Sequence, residues 1–135
     1  MTLNIRFRQP LEITEVEKIH DTHYIIRIGD KYYVKIYLSP DDKCCERFGI
    51  NVFHLRSPVF LETVPLVGAK LNGIRVLPLK PRDYNTDRHE QTIILYTSVG
   101  LVYCVAYNEH NGYYPHDFEI DINTPERKKT ITGKL

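Results

Sequence analysis

The segment TIILYTSVGLVYCVAYNEHNGYYPHDFEIDIN, residues 92–123, decides the fold, because strand and turn signals alternate along it. Residues 92–97 and 101–107 are rich in β-branched and aromatic side chains, which pack well on a pleated sheet. The second of these runs is apolar on both faces, so we expect it to be a central strand. Asn111-Gly112 is a strong hairpin signal, because a type I′ turn needs residues that tolerate positive φ.

Beyond the Asn-Gly turn, apolar residues alternate with polar ones. The apolar positions are Phe118, Ile120 and Ile122, and the positions between them are Asp117, Glu119 and Asp121. A period of two predicts a strand with one buried face and one acidic, solvent-facing face. Pro115 cannot donate to a strand ladder, so this strand begins after Pro115 or lies at an edge. We therefore predict three antiparallel strands between residues 91 and 122.

The same two-residue period extends outward over most of the chain and predicts further strands. Residues 23–38 contain a predicted hairpin around Gly29, because glycine accepts the positive φ of a tight turn. Residues 66–79 are predicted to form a strand in which Gly68 and Gly73 mark turn or bulge positions. Helical periodicity is almost absent from the sequence.

The predicted fold is mainly β, or α+β with one short helix, which would lie in the less periodic residues 43–65. We expect a single antiparallel sheet or a partly open barrel, built from hairpins. A chain of 135 residues has the usual size of one domain, which we place at residues 1–125. Residues 126–135 are basic, and we expect them to form a flexible tail.

Composition excludes several classes of protein. A formal net charge of +1 provides no general attraction to nucleic acid or to an anionic membrane, so nucleic acid is an unexpected partner. No apolar run approaches the roughly 18 residues that a membrane span needs. The first residues carry no apolar signal-peptide core, and three cysteines do not suit a secreted disulfide scaffold. We therefore expect a cytoplasmic protein without a membrane partner.

The cysteines and histidines are the residues that could carry metal or acid–base chemistry. Cys44 and Cys45 are adjacent, so their side chains diverge, whereas common zinc sites separate their cysteines by two to four residues. His110 and His116 bracket the Asn-Gly turn, where polar residues are common, and Cys104 lies in a predicted strand. No known catalytic motif is present. We therefore expect no metal, no cofactor and no catalytic residue, and we interpret the protein as a non-enzyme.

Tyrosines are the feature of the sequence most suggestive of binding, since there are ten of them and several lie near the predicted Asn-Gly turn. Tyrosines at the rim of a sheet stack on bases or sugars, and nearby basic residues contact phosphate. The alternative is that these rings form the half-buried border of the core. The predicted ligand-binding residues are Tyr107, Asn111, Tyr113, Tyr114, Arg82 and Arg88.

Two segments resemble a family of small, uncharacterised bacterial and phage proteins. These are residues 37–46, which end in Cys44-Cys45-Glu46, and residues 101–114, which end in Asn111-Gly112-Tyr113-Tyr114. The family carries an Asp-Cys-Cys-Glu segment and a C-terminal Asn-Gly-Tyr-Tyr hairpin, and the similarity covers roughly residues 30–122. Lys43 and Pro115-His116 depart from its pattern. The resemblance implies a phage or prophage setting, and a phage-encoded protein of this kind would act in the host cytoplasm.

These observations predict a non-catalytic viral accessory protein, of the phage type. It would bind a host protein or sequester a small nucleotide signal, in a counter-defence role and as a homo-oligomer. An alternative is a protein-interaction or structural module that acts through a strand edge or an aromatic patch. A third hypothesis is a metal- or histidine-dependent enzyme that uses His110, His116 and Asp117 near Cys44 and Cys45.

Overall fold

The computed structural model of the chain describes residues 2–39, 47–54, 66–83, 88–109 and 116–135, without the side chains of 81–83. Every regular element within these ranges is a β-strand. In chain order the strands are β1 (Leu3–Glu12), β2 (Glu15–Ile19), β3 (His23–Ile28), β4 (Tyr32–Leu38), β5 (Arg47–His54), β6 (Lys70–Val76), β7 (Lys80–Asp83), β8 (Arg88–Thr97), β9 (Gly100–Glu109), β10 (Asp117–Asn123) and β11 (Lys128–Lys134).

The strands form two antiparallel sheets. Sheet A has the order β1-β6-β8-β9-β5, with the short β7 also paired to β8, and sheet B has the order β11-β10-β4-β3-β2. The prediction of a mainly β fold is confirmed, and the described residues contain no helix. The prediction of a single sheet or a partly open barrel is wrong, because the strands divide between two sheets that do not close. A two-residue period identifies strands but does not assign them to a sheet.

The two sheets pack face to face on one hydrophobic core. A single cluster of buried side chains draws members from both sheets, such as Leu95 and Val102 from sheet A and Ile26 and Ile120 from sheet B. Burial, and to a smaller extent the thiol of Cys104 in sheet A, raise the pKa of the Tyr24 phenol in sheet B. The structure is therefore a β-sandwich in which each sheet keeps one outer face.

Several local predictions are confirmed. β3 and β4 form the expected hairpin, and Gly29 in its turn has a φ of 65°. β8 and β9 form the second hairpin, and β9 is central because it also pairs with β5. Gly68 has a φ of 89° in the turn before β6, and the β6–β8 register shifts between Leu71 and Gly73.

The predicted meander of three strands between residues 91 and 122 is wrong in its third strand. β10 does have one buried face and begins after Pro115, as expected. However, β10 pairs with β4 and β11 in sheet B, whereas β9 belongs to sheet A. The two strands therefore do not form a hairpin, and residues 110–115 between them lie outside the described residues. Asn-Gly favours a turn, but a local turn signal does not specify the strands with which the next strand pairs.

Three segments that were predicted as irregular or ambiguous contain strands. Lys128–Lys134, within the predicted flexible tail, form β11, which pairs with β10 along its whole length. Leu135 after it is 1% exposed. Residues 80–90, whose polar composition favours a loop, contain β7 and the start of β8, and the ambiguous segment at 43–65 contains β5. The remainder of that segment, 43–46 and 55–65, lies outside the described residues.

Candidate functional site

Two of the six predicted ligand-binding residues come together in the described structure. The guanidinium carbon of Arg88 lies 4.1 Å from the centroid of the Tyr107 ring. Arg88 also donates through Nε to Glu90 Oε1 at 2.5 Å and through Nη1 to Glu109 Oε1 at 3.0 Å. Asn111, Tyr113 and Tyr114 lie outside the described residues, and Arg82 lies in β7 with its side chain outside them.

The contacts of Arg88 make it a poor anion receptor. Its guanidinium already pairs with two carboxylates and lies over an aromatic ring, so a phosphate would have to displace these partners. The guanidinium of Arg88 also covers one face of the Tyr107 ring, so a base could not stack on that face. We therefore interpret this cluster as a stabilising feature of the outer face of sheet A.

The cysteine and histidine hypothesis finds little support among the described residues. Cys104 is fully buried in the core, where burial raises the pKa of its thiol to about 12. His116 is 2% exposed, stacks on Phe48 with 4.1 Å between ring centroids, and donates from Nδ1 to the carbonyl of Ser39 at 2.7 Å. Within the described ranges no group of three or more His, Cys, Asp or Glu side chains could hold a metal. Cys44, Cys45 and His110 lie outside those ranges.

A groove lies on the outer face of sheet A, across β1, β6, β8 and β9. Its volume is about 790 Å³, within the usual range of roughly 300–1,000 Å³ for small-molecule sites. We call it the β1–β8 groove, and its lining residues are Asn4, Ile5, Arg6, Asn72, Gly73, Tyr96, Thr97, Gly100 and Leu101. Most of these were not singled out from the sequence, where Gly73 was predicted only as a turn or bulge position.

Strand register places the groove residues in two rows across sheet A. In the first row Arg6 faces Gly73, Gly73 faces Tyr96, and Tyr96 faces Leu101. Because Gly73 has no side chain, the first row has a gap between Arg6 on β1 and Tyr96 on β8.

The second row adjoins the first on the same outer face. It consists of Asn4, Arg75, Ile94 and Tyr103, each paired with the next. The two rows belong to one face because residues two apart in a strand point to the same side.

Two arginines on this face have no acidic partner among the described residues. Arg6 is exposed, Arg75 is half-buried, and neither forms a hydrogen bond or an ion pair with a described side chain. The Nε atom of Arg75 is buried with no hydrogen-bond partner. A buried donor without a partner costs about 1–3 kcal/mol, and this Nε atom is itself out of a ligand's reach. The terminal nitrogens of the half-buried guanidinium make no hydrogen bond with a described side chain, and they are the donors that an anionic group would meet.

On the outer face of sheet B, by comparison, the arginine is paired. Arg27 donates to Glu17 at 2.8 Å, which lowers the pKa of that carboxyl and raises the pKa of the guanidinium. Tyr33 donates to Asp121 at 3.0 Å, and this bond is the main reason that the pKa of its phenol is raised. The unpaired arginines therefore distinguish sheet A from sheet B among the described residues.

Comparisons with known proteins place the chain in no family: no family model, curated protein or solved structure matches it. The resemblance to small bacterial and phage proteins therefore stays a prediction. No helix in the described part of the chain is long and apolar enough to cross a membrane.

Proposed function

We propose that this protein is a non-catalytic binding protein that holds a small nucleotide in the β1–β8 groove. The observation that carries the proposal is the position of Arg6 and Arg75, two cations without a described partner on the face that contains the groove. Guanidinium groups recognise phosphate through paired N–H donors. Tyr96 and Leu101 supply a flat aromatic ring and an apolar surface at the other end of the groove.

The proposed ligand, a small nucleotide, is the one predicted from the sequence, but the proposed site differs from the predicted one. The sequence favoured Tyr107 and Arg88, but those two side chains contact each other and two carboxylates. The groove residues, in contrast, leave polar groups available. Neither Arg6 nor Tyr96 makes a side-chain hydrogen bond, ion pair or ring contact with a described residue that would have to break before a ligand binds.

The test is isothermal titration calorimetry, which measures the affinities of AMP, GMP, CMP, UMP and inorganic phosphate. It is done on the wild-type protein and on the Arg6→Ala and Arg75→Ala variants. Lys129→Ala is the matched control, because it removes one exposed positive charge from sheet B. We expect each arginine variant to weaken nucleotide binding about tenfold to a hundredfold, since hydrogen bonds to charged groups contribute about 1.5–3 kcal/mol. The control should bind as the wild type does.

Two results would contradict the proposal. One is the absence of nucleotide binding to the wild type at millimolar concentration. The other is binding that the two arginine substitutions leave unchanged. Native mass spectrometry of protein purified from a bacterial host adds the stoichiometry, and with it a test of the predicted homo-oligomer.

The predicted alternative, a module that acts through a strand edge, is less favoured. The sequence suggested an edge at the strand after Pro115, but β10 lies between β11 and β4 and offers no free edge. β11 is an edge strand of sheet B and carries Lys128, Lys129 and Lys134, and lysines on an edge strand oppose pairing with another chain. The viral counter-defence setting stays a prediction that rests on the family resemblance alone.

A further inference from the structure

A second tyrosine lies on the same face as Tyr96, one row away. Tyr96 on β8 faces Leu101 on β9, and Tyr103, two residues further along β9, faces Ile94. Tyr96 and Tyr103 are therefore diagonal neighbours across an antiparallel strand pair, with Cβ atoms roughly 7–8 Å apart. Both side chains are half-buried.

The two tyrosines keep polar groups available for a ligand. Tyr103 contacts Phe53 of β5 edge-on, with 5.4 Å between ring centroids, and this contact fixes the position of its ring. Neither phenol donates or accepts a hydrogen bond within the described residues. Because stacking requires only an aromatic face, and every base has one, two neighbouring rings on a sheet are able to receive two neighbouring bases.

The arginines lie on the side of the tyrosines nearer to β1. Arg75 occupies the same row as Tyr103, and Arg6 occupies the same row as Tyr96. Each row therefore carries one ring on β8 or β9 and one guanidinium on β1 or β6. This repeated arrangement suits a ligand with two bases and a phosphate backbone that runs beside them.

We propose that the β1–β8 groove and the adjoining row bind two neighbouring bases joined by a phosphodiester, one base on Tyr96 and the other on Tyr103. This inference rests on the proposed function and makes its ligand class more specific. The same chemistry occurs in a free dinucleotide and in a short single strand. A third base finds no further described tyrosine in line with these two on sheet A, so length beyond two bases should add little.

The test measures the affinities of AMP, pApA and pApApA by titration, so that all three ligands carry the same terminal phosphate. We expect pApA to bind at least tenfold more tightly than AMP, and pApApA to gain less than threefold over pApA. If the natural ligand is a single strand, a longer oligonucleotide that contains pApA should bind with the same affinity as pApA alone. If the natural ligand is a free dinucleotide, the longer oligonucleotide should bind more weakly than pApA.

The decisive variants are Tyr103→Ala and Tyr103→Phe. Tyr103→Ala should abolish the gain of pApA over AMP, whereas Tyr103→Phe keeps the ring and should retain the gain. Thermal melting of each variant establishes that it is folded. Equal affinities of the wild type for AMP and pApA, or a further tenfold gain at pApApA, would overturn the two-base site alone. Failure of the wild type to bind all three ligands would overturn the proposed function as well.

Discussion

The carbonyl oxygen of Ile5 lies where a side chain on Gly73 would begin. A Cβ atom on Gly73 would be 2.6 Å from that oxygen, closer than real Cβ contacts allow. β1 and β6 therefore approach each other closely because residue 73 is a glycine, and the same glycine leaves the gap in the β1–β8 groove.

Gly73→Ala should destabilise the protein by about 2 kcal/mol, because the added methyl group forces β1 away from β6. The measurement is urea denaturation followed by circular dichroism. Asn72→Ala is the matched control, since Asn72 is exposed and adjacent, and it should change the stability much less. Equal midpoints for Gly73→Ala and the wild type would show that β1 can move without cost.

Glu126 ties the turn between β10 and β11 to the edge of β1. Its two carboxylate oxygens accept hydrogen bonds from the backbone N–H of Arg8 at 2.9 Å and of Gln9 at 3.2 Å. These bonds lower the pKa of the carboxyl below its ordinary value of 4.5. The stabilisation is therefore present above about pH 4.5 and is lost as the pH falls through the lower value of the folded state.

Glu126→Gln should lower the melting temperature at pH 7, and the difference from the wild type should shrink as the pH falls below 4.5. Differential scanning fluorimetry across pH 3–8 measures both effects. Glu119→Gln serves as a control, since Glu119 forms no hydrogen bond or ion pair with a described residue. A difference that stays constant across the pH range would mean that the charge of Glu126 does not matter.

Cys104 should be unreactive in the folded protein. It is 0% exposed, and a pKa of about 12 leaves its thiol protonated at neutral pH, so the reactive thiolate is absent. Iodoacetamide labelling at pH 8, followed by peptide mass spectrometry, should modify Cys104 only after urea is added. Labelling of Cys104 in the native state at the rate seen in urea would show that this part of the core opens readily.

The sequence predicts what is local and misses what depends on distant pairing. The β3–β4 hairpin is predictable because Gly29 and the flanking alternation lie within one short segment. The groove is not, because Arg6 and Arg75 are separated by about half of the chain and come to the same face only when β1 pairs with β6. Alternation identifies each of them as an outward residue but does not say on which sheet.

Tyr107 and Arg88 illustrate the opposite case. Both carried a plausible binding signal in sequence, and they do lie together, but their partners Glu90 and Glu109 occupy the same face of the sheet. The order of residues along the chain does not reveal that two carboxylates flank one arginine. Conversely, β9 and β10 are close in sequence and still belong to different sheets: β9 pairs with β5 and β8, whereas β10 pairs with β4 and β11.

The hydrogen bond between Arg8 and Glu126 joins residues 118 positions apart, and this separation bears on how the protein is made. During synthesis the first strand leaves the ribosome long before its neighbour β6 and longer still before Glu126. Non-local pairing of this kind slows folding, and we expect milliseconds to seconds rather than microseconds. Until Glu126 emerges, the backbone N–H groups of Arg8 and Gln9 on β1 are open to other nascent chains, so expression at low temperature or with a chaperone should raise the yield of soluble protein.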